Sequence, residues 1–490
     1  MKDLSGKVWF VCKLESTQRD PTECAGFCKW YGYCNSRKFF GGSIDRAIIW
    51  YLIVGGLLIS MGLLESLLQR LPLSPAMFYL PVGYLLGPAG AGFVDLHAAP
   101  HAPVLLHIAE AALLISLFTV GLKLRVPLKD RLWWLPLRLG VVAMAITVGM
   151  LTLLGTAWLG FPLGVAILLA AILAPTDPIL AADVQVRNVG DRDRIRFALS
   201  GEGGLNDATA LPFMMAGLAL MSVPQAQAWK GSGAILHAAW GFVAGAGSGW
   251  LLGDVVGRLV VYLRKRYRSA LGMEEFLTLG LIALSFGAAD LIGGNGFIAV
   301  FITGVAVRNI EARNSGDRPA SEIMSQIDGA GNEKLATDPR TASAYMTQEV
   351  LGFNQQLEHI AEFTMVLLAG MLLSSTGFAV EGVVLAALLF VVVRPVAIGI
   401  ALLGATRTPL QQGLLTWFGI RGIGSLYYLL YALQYPWSAG AAARLEPIVL
   451  TVIASSVLVH GISATPLMNL YQRRKRRRSP DGREFEVQDP

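Results

Sequence analysis

Charge is scarce in this chain. Asp, Glu, Lys and Arg supply 15% of its 490 residues, whereas soluble domains run nearer about 25%. A water-solvated surface over most of the length is therefore excluded. Histidine and cysteine are scarce too, at six and four residues. Cys12, Cys24, Cys28 and Cys34 all precede the first long apolar run, and their Cys-x-x-x-Cys spacing lacks the paired Cys-x-x-Cys of a zinc site. No soft-metal centre is readable, and no cofactor is expected. Alternation of polar and apolar residues over segments of about ten residues is missing, which argues against a membrane β-barrel. The net charge of +6 makes no case for a nucleic-acid partner.

Apolar length is what the chain has. Its mean hydropathy is +0.54, 54% of its residues are hydrophobic, and 54 glycines suit close helix packing in lipid. We read about thirteen spans, near 44–68, 74–88, 103–122, 135–158, 162–183, 195–222, 233–262, 273–290, 294–308, 356–374, 380–404, 409–432 and 444–470. The second and ninth are short. The expected fold is an all-α polytopic membrane protein. Residues 1–43 form an extension, extracytoplasmic or the product of a mis-assigned start. Residues 44–470 are the membrane domain, and 471–490 a basic tail. The long polar stretch 309–355 is expected as a solvated cytoplasmic loop, in which the run Thr341–Gln356 could form a surface helix.

Basic residues set the orientation. One alternate set of connections holds Arg70, then Lys123, Arg125, Lys129 and Arg131, then Arg187, Arg192 and Arg194, then Arg264 to Arg268, then Arg407. The opposite set holds little beyond Lys230 and Arg444. The first set is therefore expected in the cytoplasm of a cell-membrane protein, with the C-terminus inside and the N-terminus outside. His107-Ile-Ala-Glu110 and His359-Ile-Ala-Glu362 open spans three and ten. Spans seven apart cross in opposite senses, as in the inverted repeats of secondary transporters. Spans five and twelve carry breakers at the same offset, Ala174-Pro-Thr-Asp-Pro178 and Gly419-Ile-Arg-Gly-Ile-Gly424.

Polar residues then stand out. Glu202, Asn206 and Asp207 interrupt span six. A charge at the bilayer centre costs at least about 2.5–3.5 kcal/mol, so its retention points to ion or proton movement. Counting rise per residue places Asp207, Asp177, Arg394 and Arg421 near one depth, the midplane. Asp207, Asp177, Thr176 and carbonyls freed by Pro175 and Pro178 offer hard oxygens suited to a small monovalent cation. A buried carboxylate holds either a proton or a cation, so each cation bound displaces a proton. Glu202 and Asn206 share a helix face. Glu202 is expected to pair with Arg394 or Arg421.

These motifs resemble the sodium/proton antiporters, the electroneutral branch of the monovalent cation/proton antiporter superfamily. Thr176-Asp177-Pro178 is similar to the motif of its broken fifth helix. Gly201-Glu202 with Asn206-Asp207 is similar to its sixth-helix signature, and Arg394-Pro395 and Gly419-Ile-Arg421-Gly to its arginine motifs. The resemblance implies a homodimer and an inverted-repeat fold with helices 5 and 12 broken. Spans 4–6 and 11–13 would be a mobile core. It implies Asp207 as the exchanged carboxylate, Na+ (or Li+) as the cation, and Asn206 as a mark of one-for-one electroneutral exchange. Glu110 is a further candidate, at a third-helix acidic position that some relatives use. Gly203 departs from the serine common in relatives. The alternatives are a potassium/proton antiporter of the same superfamily, a cation channel and an intramembrane aspartyl protease built on Asp177 and Asp207. The antiporter reading predicts no enzyme activity.

Overall fold

A computed structural model describes residues 46–68, 74–127, 129–182, 184–186, 193–267, 273–315, 332–338, 341–404 and 408–478. The four cysteines, Arg70, Arg187, Arg192, Arg268 and Arg407 lie outside the described residues. The chain divides into two units, at Leu67 and Leu68. The first holds α1 (Arg46–Leu68), which has no charged residue between Arg46 and Glu65.

The second unit holds α2 (Ala76–Leu86), α3 (Ala98–Lys123), α4 (Arg131–Ala157), α5 (Leu163–Leu173), α6 (Arg194–Leu220), α7 (Ser232–Tyr267) and α8 (Glu274–Leu291). It continues with α9 (Gly296–Ser315), α10 (Ala342–Thr376), α11 (Val380–Ala401), α12a (Pro409–Trp417), α12b (Ile423–Leu433) and α13 (Ala439–Arg478). No strand occurs among the described residues. A helix thus stands at every expected span, and the two expected breaks are real. Among the described residues, six helices, α3, α4, α7, α10, α11 and α13, are long and apolar enough to cross a membrane. The helix bearing Asp207 is not among the six, because polar residues interrupt it.

Two expectations need correction. The ninth helix is not short: it continues to Ser315. The surface helix expected over Thr341–Gln356 is instead the start of α10, and it buries Ala344, Met346, Val350 and Leu351. The reason is pairing. Arg125 donates to both oxygens of Glu311 on α9, at 3.0 and 3.1 Å, and Lys123 donates to Glu358 on α10 at 3.1 Å. Compensated charges allow helical ends to be buried where hydropathy alone predicts loop.

The repeat is visible in the backbone. α4 and α11, seven apart, each carry a π-helical turn, at Arg138–Ala143 and Leu389–Val393. The pairs α2·α10 and α3·α9, exchanged by the same offset, each cross at two facing glycines. A Cβ on Gly370 would stand 3.0 Å from Gly83 Cα, and one on Gly121 would stand 3.1 Å from Gly304 Cα. Such approaches exclude any side chain there. α4, α5 and α6 pack with one another and with α11–α13, while α2, α3 and α7–α10 pack mainly together.

Candidate functional site

The site begins where α5 stops. Pro175 cannot continue the helix, and Pro178 has no N–H to give the carbonyl of Ala174. The Asp177 N–H, which would have served Leu173, donates instead to Ile420 O at 2.8 Å. The carbonyls of Leu173 and Ala174 are therefore orphaned at the negative end of a half-helix. Arg421 takes both, Nε to Leu173 O at 2.9 Å and Nη2 to Ala174 O at 3.2 Å. Its Nη1 donates to Gly419 O, and its backbone N–H to Ser456 Oγ at 2.7 Å.

The second break repeats this solution. Arg394 Nη2 donates to Leu415 O and Phe418 O, at 3.2 and 2.9 Å, around the end of α12a. The same guanidinium binds Glu202 in a bidentate pair, Nη1 to Oε1 and Nη2 to Oε2. Glu202 thus pairs with Arg394 and not with Arg421. The freed carbonyls expected as cation ligands are occupied by guanidinium groups, because a fixed cation suits a half-helix C-terminus.

Asp177 holds the start of α12b. One carboxylate oxygen accepts from the N–H groups of Ile179 and Leu180, at 2.8 and 3.3 Å, and the other accepts from the N–H of Ile423. Thr176 Oγ1 faces Asn206, whose Nδ2 donates to it at 2.6 Å and to Thr176 O at 3.3 Å. Asp177 and Thr176 are thereby engaged within the crossing.

Asp207 is different. It is 0% exposed, and neither carboxylate oxygen has a hydrogen-bond partner. Asn206 Oδ1 and Ser425 Oγ are likewise buried and unpartnered. Asp207 Oδ1 lies against Gly424, where an added Cβ would stand 2.7 Å away. Pro212 leaves the Ala208 carbonyl without its helical donor, and Asn295 Nδ2 supplies one at 3.0 Å. Tyr428 Oη donates to the Asp207 carbonyl. The backbone around the carboxylate is therefore held from two other helices, while the carboxylate itself is left open.

Glu110 stands apart from this cluster. It is half-buried on α3, on the side that faces Tyr427 of α12b. Ser425, Tyr428 and Asn295 escaped the sequence reading, though Pro212 signalled an orphaned carbonyl in α6. His460 is a packing residue, with Nε2 3.1 Å from Trp417 O and its ring against Phe390.

Two half-helices crossing beside a buried open carboxylate define an ion-transport membrane protein. A model of the transmembrane sodium/hydrogen exchanger family matches residues 56–327, and the chain belongs to that family of cation/proton antiporters. It is 22% identical over 435 residues to a K(+)/H(+) antiporter, NhaP, of Alkalimonas amylolytica, covering 86% of this chain and 67% of that one. It is 28% identical over 237 residues to the Na(+)/H(+) antiporter ApNhaP of Aphanothece halophytica, 48% of this chain and 43% of that protein. The chain spans about two thirds of the length of the NhaP relatives it matches over most of its own. Among solved structures, the sodium proton antiporter MjNhaP1 of Methanocaldococcus jannaschii shares the fold. The TM-score is 0.65 at 16% identity, over 86% of this chain and 98% of that one. Family members are transporters, not enzymes.

Proposed function

We propose that this chain exchanges a monovalent cation, Na+ foremost, for H+ by alternating access in the cell membrane, with Asp207 as the exchanged carboxylate. One observation carries the reading. Asp207 is the carboxylate of the crossing that is wholly buried and has both oxygens open. A bare buried carboxylate is unstable, so it is occupied by either H+ or a cation. That competition is the coupling. Asn206 Oδ1 and Ser425 Oγ are candidate neutral oxygens beside it. Asp177 and Thr176 join them only if they exchange the hydrogen bonds that hold the crossing. Glu202, Arg394 and Arg421 act as charge partners that keep the broken helices in register. Glu110 is a secondary candidate, on the α3 side of α12b.

With Asn206 uncharged, one carboxylate serves one H+ or one cation, and exchange is electroneutral. K+ is the second reading, since NhaP relatives bear that ion in their names. We place the C-terminus in the cytoplasm and assign a homodimer as the working form. The exposed apolar face of α7, with Leu236, Val243 and Leu251, supports a lipid or subunit neighbour. Mass measurement of the protein in a defined bilayer disc checks the dimer.

The test is proton flux in inverted vesicles from an antiporter-deficient host, with Na+, Li+ and K+ added separately. Wild type is expected to release the proton gradient on cation addition, and Asp207→Ala to do nothing. Wild type inert to all three ions across pH 6–9 would sink the reading.

A further inference from the structure

Gln185 carries a buried amide that nothing in the fold uses. The residue is 1% exposed, and both Oε1 and Nε2 lack a hydrogen-bond partner. Several polar groups of the crossing are compensated, Asp177 by backbone N–H groups, Glu202 by Arg394, and Arg421 by carbonyls, whereas Gln185 shares its lack of partners with Asp207, Asn206 Oδ1 and Ser425 Oγ. A buried unsatisfied amide costs stability and calls for a reason.

Its position supplies one. Three contacts lay the segment at 185–186 along a single stripe of α6. Arg196 Nη1 donates to Gln185 O at 3.0 Å. The Val186 N–H donates to Ser200 Oγ at 3.0 Å. Gln185 Nε2 lies 3.2 Å from where a Cβ on Gly203 would be. Positions 196, 200, 203 and 207 follow one another at steps of four, three and four, which is one helix face. The amide therefore sits about 6 Å of helix rise from Asp207, toward the N-terminal end of α6. Gly203 makes the room, because a Cβ there would also stand 3.1 Å from Pro178 Cβ.

We propose that Gln185 Oε1 is a cation-binding station between the cytoplasmic end of α6 and Asp207, one turn short of the exchange site. This rests on the exchange reading above. An amide carbonyl is a hard, uncharged oxygen donor. It replaces part of an ion's hydration shell without holding the ion fast, as a path that must also release its cargo requires. Nε2 is the amide atom beside Gly203, and a half-turn of the terminal torsion exchanges it with Oε1 and presents the oxygen to that face.

The experiment compares wild type, Gln185→Met and Gln185→Glu by initial-rate proton flux in inverted vesicles, with Na+ and K+ titrated separately. Gln185→Met removes both polar atoms at similar volume. It is expected to raise the apparent KM of the transported cation about five-fold or more while Vmax stays within about two-fold. Gln185→Glu keeps an oxygen in place and is expected to return KM to the wild-type value or below. A KM in Gln185→Met within about two-fold of wild type overturns the proposal. If Gln185→Met does not yield folded protein, Gly203→Ala decides. Its Cβ displaces the amide, so an unchanged KM overturns the proposal and a raised one supports it. Failure of the parent reading is separate: wild type would then show no exchange. Exchange that is lost in Asp207→Ala but indifferent to Gln185 overturns this inference alone.

Discussion

Gly424 shows how little space the exchanged carboxylate has. A Cβ there would stand 2.7 Å from Asp207 Oδ1, closer than side-chain carbons approach. Gly424→Ala must turn the carboxylate away from the start of α12b. We expect cation-driven proton flux to fall about ten-fold or more, with the melting temperature in detergent within a few degrees of wild type. Glu202 poses the opposite case, since its charge is spent on Arg394. Glu202→Leu leaves a buried guanidinium unpaired and is expected to cost about 3–5 kcal/mol. The double variant Glu202→Leu with Arg394→Met removes both charges and is expected to recover part of that loss. Thermal unfolding of the three proteins measures it. A double variant less stable than Glu202→Leu would mean that the carbonyl contacts of Arg394 at Leu415 and Phe418 outweigh the ion pair.

At the scale of elements, α6 is held at its middle and at its start by different means. Near Asp207 it is held by Asn295 and Tyr428. At its start Asp193 caps the N–H groups of Ile195 and Arg196, at 2.9 and 3.3 Å. α13 closes on the same carboxylate, with Tyr471 Oη and Lys475 Nζ each at 2.8 Å. Burial pushes the Asp193 carboxyl up, but Lys475, Tyr471 and the capped N–H groups outweigh it and hold the group below the usual carboxylate range. A depressed carboxyl stabilises the fold above its unfolded value, and that contribution is lost as pH falls through the folded value. The stability difference between wild type and Asp193→Asn is therefore expected to be flat from pH 5 to 8 and to shrink below about pH 4. Its size should be below about 1 kcal/mol, because Asn keeps the cap and exposed Lys475 adds little. A difference that grows on acidification would contradict the clamp.

At the scale of the molecule, the two arginines make the crossing electrically self-contained. Each orphaned half-helix end faces a guanidinium, Arg421 at α5 and Arg394 at α12a. Arg394 is in turn neutralised by Glu202. The charge left to vary is that of Asp207, and it is cancelled alike by H+ or a monovalent cation. Exchange is then expected to ignore membrane potential. One net charge per cycle would be worth about 2.3 kcal/mol per 100 mV, or about 50-fold in the gradient sustained. Potassium-valinomycin clamps at 0 and about 100 mV should leave the Na+/H+ equilibrium unchanged. A shift approaching 50-fold would show electrogenic exchange.

The number and order of the helices and the two breaks were legible along the chain. They depend on local quantities: hydropathy over a span and proline's missing N–H. The exchanger motifs were legible for the same reason. Partner choice was not. Glu202 and Arg394 lie 192 residues apart, and Arg421 and Leu173 lie 248 apart; nothing in a window of the sequence distinguishes Arg394 from Arg421 as the acid's partner. Only the tertiary fold did so: both guanidinium groups meet half-helix carbonyls, and the carboxylate of α6 reaches Arg394. The full lengths of α9 and α10, and the placement of Gln185 beside Gly203, were also tertiary outcomes. Paired charges bury helix ends that look polar in isolation, and an amide acquires a neighbour only when the chain folds back upon α6.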